Sequence, residues 1–293
     1  MKKDNPIYGN LTMKDYHVKG PLGMGFYAGD FSANYGATVN AWLAQGLTDG
    51  GESPSAEILT ALSAFMTSLD ASGLGPSGSR MKTMNIMHTG SKEFVKLNLK
   101  NVSTFKYVES GTVTFSEGNG CKSASSSYFE HPFKSDQYAG IETDLTEINY
   151  ISESDTTSVN DIVAGCTPAL SRFELLRPKS GVANGAYSHY DNALTVFTSA
   201  NHKGLFIRTY AGGNKVVYRD GVKTSTAVTP TAPTVSQSRL VLAFNGNAGS
   251  GITATSHYTR FVALDALYDS FSDADELAFR NAFNTYKTAV SLP

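Results

Sequence analysis

The stretch from Gly204 to Tyr286 most constrains the fold of this chain, because it combines short strand-like segments with one amphipathic helix. Gly204–Tyr210 and Lys215–Tyr218 are rich in β-branched and aromatic residues, and a Gly-Gly-Asn turn separates them, which predicts a hairpin. Asp220–Gly221 tolerates the positive φ angles of a tight turn, so Val222–Val228 is predicted to add a third strand.

The same stretch ends in a predicted helix. Two further strands are expected at Arg239–Phe244 and His257–Leu264. Ser272 is then a good N-cap, because Asp275 follows three residues later and acidic residues suit the positive end of a helix. The apolar stripe of this helix recurs at helical spacing: Leu277, Ala282, Phe283, Tyr286 and Val290. We therefore expect an antiparallel meander with a helix packed against it.

Three short segments are informative because of their order along the chain: Lys96–Asn101, Tyr218–Gly221 and Ser272–Glu276. The first is similar to a segment that precedes the sandwich in phage proteins, the second to a strand turn, and the third to the start of a closing helix. Together they resemble the laminin-G-like, or concanavalin A-like, domains of bacteriophage fibre, tail or capsid-decoration proteins. The resemblance implies a mainly β jelly-roll sandwich with an N-terminal helical or irregular region and a C-terminal amphipathic helix. It also implies a virion setting.

Residues 1–52 combine glycine with aromatic residues and show no sustained periodicity. This composition predicts an irregular arm that becomes ordered against a partner, as in virion attachment, because its apolar side chains lack regular structure to bury them. The alternative is one or two strands packed on the chain's own domain. A short helix is predicted at Val39–Leu47, which contains Trp42.

Residues 53–100 are predicted to form a helix and a loop that lead into the sandwich. Ser53 and Pro54 suit the N-cap and first helical position, and Gly73 suits the end. The apolar face comprises Ile58, Leu59, Leu62, Phe65, Met66 and Leu69. Core-filling methionines are predicted at Met81, Met84 and Met87. The resemblance implies that a loop follows the helix and that Glu93–Lys100 is the strand leading into the sandwich.

Residues 101–293 are predicted to be the laminin-G-like β-sandwich. Short apolar segments separated by turns are typical of a sandwich or jelly roll. They are Phe105–Tyr107, Thr112–Phe115, Tyr128–Phe129, Ile148–Ile151, Asp161–Ala164 and Arg172–Leu176. Glu153–Asp161 is predicted to be a solvated acidic loop at a sheet edge.

Composition excludes several partners. The 24 basic and 26 acidic residues give a formal charge of −2, without the basic surplus typical of nucleic-acid-binding proteins. No apolar run approaches the roughly 18 residues that span a bilayer, and the start lacks a signal-peptide core, so we expect cytoplasmic synthesis and no membrane span. Cys121 and Cys166 are expected to remain separate buried thiols, because synthesis is expected in a reducing compartment; the alternative is a disulfide between them.

A motif with three acidic residues is the sharpest catalytic candidate. Glu142, Asp144 and Glu147 resemble the E-x-D-x-x-E motif of β-glucan hydrolases that share the sandwich fold, in which two carboxylates lie about 5 Å apart. The resemblance implies Glu142 as nucleophile, Asp144 as helper and Glu147 as acid/base. The alternative, which we favour, is an acidic strand edge, because Thr143 and Thr146 are polar and no Trp lies nearby.

A polar segment is the candidate binding site. Ser188, His189, Tyr190, Asp191 and Asn192 are predicted to lie in a loop between strands. There Tyr190 could stack on a sugar while Asp191 and Asn192 bond its hydroxyls, since binding residues often lie on loops. The alternative is an ordinary polar turn.

Metal binding is unassigned. The six histidines are scattered singly, without zinc-ligand spacing. Laminin-G-like domains often hold calcium, so the resemblance leaves Ca²⁺ open, and oxygen ligands are offered by Asp136, Asp144, Asp155, Asp161 and Asp191.

The sequence thus predicts a non-enzymatic virion structural protein, such as a fibre, spike or decoration subunit, whose sandwich contacts a host-surface glycan. Repeated copies would turn weak contacts into avidity, and analogy with phage fibres suggests a homotrimer. The alternatives are a glycan hydrolase using Glu142 and Glu147, and a purely architectural capsid or tail component.

Overall fold

The computed structural model describes residues 35–124, 126–134, 143–157, 161–169, 172–179, 184–191, 194–211, 213–229, 236–247 and 251–293. Side chains are described for these residues apart from 132–133, 167–169, 172–174, 189–191 and 211. Residues 1–34, which form most of the predicted arm, lie outside this description. The described helices are α1 (Ala37–Thr48), α2 (Ala56–Ala71), α3 (Lys92–Val95) and α4 (Asp273–Ala289).

The described strands form two sheets. In order across the first sheet lie β13 (Val222–Ala227), β12 (Asn214–Arg219), β11 (Gly204–Ala211), β6 (Thr146–Ile151), β17 (Val262–Tyr268), β4 (Gly120–Lys122) and β3 (Thr114–Ser116). A further strand, β1 (Met81–Ile86), pairs with β17. All these pairings are antiparallel.

Across the second sheet lie β10 (Thr195–Thr198), β9 (Asn184–Asp191), β8 (Arg172–Arg177), β7 (Ala164–Ala169), β14 (Ser238–Val241), β5 (Tyr128–Lys134) and β2 (Val108–Ser110). The short strands β15 (Phe244–Asn245) and β16 (Ala254–Thr255) join it, and the β15–β7 bridge is parallel. The prediction of a mainly β chain with two antiparallel sheets and a C-terminal helix is confirmed.

Alternation along the strands of the first sheet builds two cores, because successive side chains point to opposite faces. On β6, Ile148 and Tyr150 pack with the helices, together with Phe65 of α2 and Phe283 of α4. Ile151 instead packs between the sheets. The helices therefore cover the outer face of the first sheet, and the second sheet covers its inner face.

The start of α4 forms as predicted. The Ser272 hydroxyl accepts a hydrogen bond from the Asp275 N–H at 3.2 Å, and the Asp275 carboxylate accepts one from the Ser272 N–H at 2.8 Å. The predicted stripe is wrong at one position, since Leu277 is 48% exposed. Phe279 is fully buried and faces the sheet instead. The helical phase places Phe279 four residues before Phe283 on the buried face.

Three other predictions near the N-terminus are corrected. The N-cap of α2 is Ser55, whose hydroxyl accepts the Ile58 N–H, rather than Ser53. The strand predicted at Glu93–Lys100 is absent from that described segment, which begins with helix α3. The loop expected around Met81–Met87 is instead largely strand β1, because its main chain pairs with β17.

The segment Lys96–Asn101 braces this region. The Asn98 side-chain oxygen accepts the N–H of Met84 at 3.0 Å, and the Lys100 ammonium donates to the Pro76 carbonyl at 2.6 Å. It therefore holds β1 and the preceding loop without being a strand.

Several remaining predictions are confirmed. The helix expected at Val39–Leu47 lies within α1, and Met81, Met84 and Met87 are buried. Cys121 and Cys166 are buried thiols that are not joined by a disulfide.

The strand expected at His257–Leu264 starts later, at Val262.

His88 makes fold stability depend on pH. It is buried, and its Nε2 lies 2.9 Å from the Tyr286 hydroxyl of α4. Burial lowers the pKa of His88 from 6.5 to about 4, so between these values the unfolded chain binds a proton that the native chain does not. The free energy of unfolding should therefore fall as pH falls from about 6.5 to about 4. Urea titrations across this range should show a shallower pH dependence for His88→Gln than for the wild type; equal slopes would contradict the assignment.

Candidate functional site

The structure separates the three predicted catalytic carboxylates. Glu142 lies outside the described residues. Asp144 precedes β6, and its carboxylate accepts the Ser270 N–H at 2.9 Å. Glu147 is fully buried on β6, which lies between β11 and β17. The favoured interpretation of an acidic strand edge is therefore wrong for Glu147, because a central strand has no free edge. A buried Glu147 also cannot reach a glycan in solvent as an acid/base.

Glu147 belongs instead to an inter-sheet ion network, which we define as Glu147, Arg208, Arg239 and Asp265. Arg208 Nη1 lies 2.9 Å from one Glu147 oxygen, and Arg239 Nε lies 3.0 Å from the other. Both terminal nitrogens of Arg239 also donate hydrogen bonds to the Asp265 carboxylate, at 2.9 and 3.0 Å. Arg239 comes from the second sheet and its partners from the first. The network therefore links the two layers through charge-assisted hydrogen bonds.

Polar neighbours complete the environment of Asp265. The Tyr107 hydroxyl donates to it at 2.5 Å, and the Asn149 amide donates at 2.6 Å. Burial alone would raise the pKa of Asp265, but the Arg239 guanidinium and the Tyr107 hydrogen bond hold that pKa below its ordinary value. Burial and the nearby Arg239 lower the pKa of His131 to about 3, so that imidazole is neutral at pH 7. The network is thus charged and closed to solvent, which suits the clamping of two sheets.

Sequence reasoning missed this network. Its signal is charge within otherwise apolar strands: Arg208 lies inside the predicted strand Gly204–Tyr210, and Arg239 begins a buried run. Such residues are rarely buried unless paired, so each one predicts a partner across the sandwich. The sequence does not say which partner.

The candidate binding segment is a strand rather than a loop. Ser188 to Asp191 form the end of β9, which pairs with β8 and β10 on its two sides, and Asn192 lies outside the described residues. Ser188 is fully buried. The loop prediction failed because it rested on polar side chains, whereas the main chain of this segment is held by sheet pairing. The backbone of Ser188–Asp191 thus lies beside β8, just past the residues of β9 that pair with β10.

Two aspartates of the acidic segment Glu153–Asp161 form ion pairs with one arginine. Arg260 contacts the carboxylate of Asp155 at 2.6 Å and that of Asp161 at 2.7 Å. The hydrogen bond from the Thr157 N–H is the main cause that holds the pKa of Asp155 well below its usual range, and the Arg260 guanidinium lowers that pKa further. Both carboxylates offered for calcium here therefore have a cationic partner.

Metal and membrane candidates give no site in the described part of the chain. No group of three histidine, cysteine or acidic side chains there is placed to hold a metal ion. Of the other aspartates offered for calcium, Asp136 and the side chain of Asp191 lie outside the description. No described helix is long and apolar enough to cross a membrane.

Comparison with known proteins rests on structure. No protein-family model and no curated protein matches the sequence. The Trypanosoma rangeli sialidase in complex with sialic acid is similar over 78% of this chain and 38% of its own, with 11% identity and a TM-score of 0.50. Domain 4 of AbnA, a GH43 extracellular arabinanase from Geobacillus stearothermophilus in complex with arabinotriose, covers 69% of this chain and 98% of its own, with 9% identity and a TM-score of 0.46.

The likeness is one of fold. This chain spans about two fifths of the sialidase's length. Our prediction that the chain is not an enzyme is nevertheless corrected, because a glycoside hydrolase is among the proteins with a similar fold. The fold therefore gives no ground for excluding an enzyme, although it assigns no activity either.

Proposed function

We propose that this protein is a structural component of a bacteriophage particle whose concanavalin A-like jelly-roll sandwich binds a host-surface glycan. The virion setting is supported by the segments that resemble phage proteins. Each has a defined place: Lys96–Asn101 braces β1, Asp220–Gly221 forms the β12–β13 turn, and Ser272–Glu276 begins α4. Of the predicted arm, residues 1–34, which precede α1, would attach the chain to the particle, since α1 packs in the chain's own core.

One observation carries the binding proposal, namely that the three long helices in the described part of the chain lie on the same sheet. α1, α2 and α4 share their core with the outer face of the first sheet. No described helix covers the outer face of the second sheet, which contains β9 and the segment Ser188–Asp191. On neighbouring β10, Val196, which pairs with Ala186 of β9, is 54% exposed, so the outer face of this sheet is accessible next to the preceding residues of β9.

The second sheet is also a rigid support for such a site. β9 is bonded to a strand on each side, and the ion network fastens the sheet to its partner layer. A rigid platform reduces the ordering cost of binding a flexible glycan. Repeated copies on a particle would add avidity, so a shallow site with weak affinity suffices. The sialic acid complex of the sialidase supports a glycan as ligand class, and sialylated glycans are the first probes to use.

Tyr190→Ala is expected to weaken glycan binding by about tenfold or more, because it removes the ring proposed to stack on a sugar. The measurement is binding of the full chain to a glycan array and to host cells, with titration against the strongest sugar. Tyr128→Ala is the matched control, since Tyr128 is a half-buried tyrosine at the start of β5. Equal losses in both variants would contradict a site at Ser188–Asn192. Absence of any binding by a folded wild type would favour the purely architectural role.

The virion setting has its own test. Mass spectrometry of purified particles should detect the protein at many copies, and antibodies against the chain should label intact particles. A protein found only in the soluble fraction of lysed cells would contradict the proposal.

Glycan hydrolysis is a second candidate function, favoured by the sialidase among proteins of similar fold. The purified chain would be assayed for release of sialic acid from sialylated glycans and of reducing sugar from β-glucan. Since Glu147 is enclosed by two arginines, activity would have to use other carboxylates. Activity retained in a folded Glu147→Gln variant would agree with this, whereas no release by the wild type would remove the candidate.

A further inference from the structure

Strand β13 is an open edge of the first sheet. It pairs with β12 on one side, and no described strand pairs with the other. Its residues are exposed or half-exposed on both faces, and Val222 is 68% exposed. Side-chain burial therefore contributes little to holding β13, and one row of its main-chain groups faces away from the sheet.

The turn fixes which groups face outward. Asp220 and Gly221 have φ angles of 51° and 87°, as in a two-residue hairpin turn, so Arg219 and Val222 form a hydrogen-bonded pair. At the other end the Val228 N–H donates to the Gly213 carbonyl. Since hydrogen-bonded pairs alternate along an antiparallel ladder, alternate residues face β12. The N–H and carbonyl groups that face outward belong to Lys223, Ser225 and Ala227.

This edge lacks the usual protection against pairing. Edges are commonly blocked by proline, bulges or charged side chains. The segment Val222–Ala227 contains no proline, its register with β12 has no bulge, and Lys223 is its one charged residue. The Lys223 ammonium lies 2.6 Å from the Asp273 carboxylate of α4, which offsets its repulsion of a similar strand.

We propose that β13 pairs antiparallel with β13 of a second copy of this chain, with Ser225 opposite Ser225. A two-fold axis through that pair places Lys223 opposite Ala227 and Thr224 opposite Thr226. On the same face as the threonines, exposed Val222 meets Val228. Threonine pairs and apolar pairs directly opposite each other stabilise antiparallel strands. The first sheets of the two copies then form one continuous sheet.

The sequence of β13 selects this partner and this register. With Ser225 opposite Ser225, the outward main-chain groups of Lys223, Ser225 and Ala227 all find partners within Val222–Ala227 of the second copy. A register slipped along the strand leaves at least one of these residues without a partner in that segment. A register centred on Lys223 would set two ammonium groups opposite each other, which is destabilising. The segment is thus complementary to itself. The pairing joins copies two at a time, so it predicts an even number of chains rather than the trimer suggested by fibre analogy.

The expected association is weak. A pair of short strands buries less than the roughly 1,200 Å² typical of stable complexes, so we expect a dissociation constant of about micromolar order or weaker. Copies held close together on a larger assembly would pair despite this. In solution the dimer should form in proportion to concentration.

Sedimentation equilibrium of the full chain, at about 5 to 500 μM, tests the pairing. Ser225→Lys places two like charges at the centre and should raise the dimer dissociation constant by about tenfold or more. Thr67→Lys is the matched control, because it adds the same charge on the exposed face of α2 and should leave association unchanged. A wild type that stays monomeric throughout, or equal dissociation constants for the wild type and Ser225→Lys, would overturn the proposal.

Cross-linking tests the register. The double variant Thr224→Cys with Thr226→Cys brings the new thiols together across the axis, so mild oxidation should give a covalent dimer. Thr224→Cys alone faces threonine in this register and should stay monomeric on a denaturing gel. The native Cys121 and Cys166 are buried and do not compete. Cross-linking of the single variant, or none in the double variant, would contradict the register.

Discussion

Replacing Arg239 with methionine is expected to lower the free energy of unfolding by about 3–5 kcal/mol. Methionine fills most of the space, so the loss measures charge rather than packing. Arg239 is 2% exposed and bonds both Glu147 and Asp265. Without it, Glu147 keeps Arg208, but Asp265 keeps only neutral donors among these contacts. A buried carboxylate without a cation is one of the costlier defects in a folded protein.

Urea unfolding at pH 7 measures this loss. Arg260→Met is the control, because Arg260 also contacts two carboxylates, but these are about a quarter exposed. Its loss should be about 1 kcal/mol or less, since partly exposed ion pairs contribute little. Adding Asp265→Asn to Arg239→Met should recover part of the stability by removing the uncompensated charge. Equal losses at Arg239 and Arg260 would show that the network does not clamp the sheets.

The pH dependence separates lost charge pairing from lost packing. In the wild type the pKa of Asp265 lies below 3.8, so its contribution is present above that value and is lost as pH falls through the lower native pKa. In Arg239→Met, burial should raise that pKa above 3.8, so the native carboxyl binds a proton before the unfolded one does. The deficit relative to wild type should therefore shrink as pH falls from 7 towards 4. A deficit that is constant over this range would indicate packing alone.

Features set by neighbouring residues could be predicted from the sequence. The capping box of Ser272 and Asp275, the Asp220–Gly221 turn and the buried face of α2 depend on residues within one turn or one helical repeat. The physical causes act locally, since a hydroxyl accepts an N–H three residues away and glycine tolerates positive φ. A single sequence contains all of this information.

Features set by distant residues could not be predicted. The segment Ser188–Asp191 is polar, yet it is a strand because β8 supplies its main-chain partners. Strand β1 depends in the same way on β17, almost two hundred residues later in the chain. The Glu147 carboxylate fits a catalytic motif by spacing, but its two arginines come from other strands. Pairing across a sandwich depends on topology, which the strand pattern alone leaves open.

Phe279→Ala is expected to lower the free energy of unfolding by about 3–5 kcal/mol, because it deletes a fully buried ring that joins α4 to α2 and the first sheet. The Phe279 ring centroid lies 5.9 Å from that of Phe65 and 5.9 Å from that of Tyr268. Each of these rings would face a cavity that neighbouring aromatic side chains are too rigid to fill. Chemical denaturation followed by far-ultraviolet circular dichroism measures the loss.

Leu277→Ala is the matched control on the same helix. Leu277 belongs to the apolar stripe predicted from the sequence, but it is 48% exposed, so its truncation should change the free energy of unfolding by about 0.5 kcal/mol or less. Alanine is the best helix former, so neither substitution costs stability through backbone propensity. A large loss at Leu277 and a small one at Phe279 would mean that α4 packs in the phase of the sequence prediction. The reverse would show that the buried face contains Phe279, Phe283 and Tyr286.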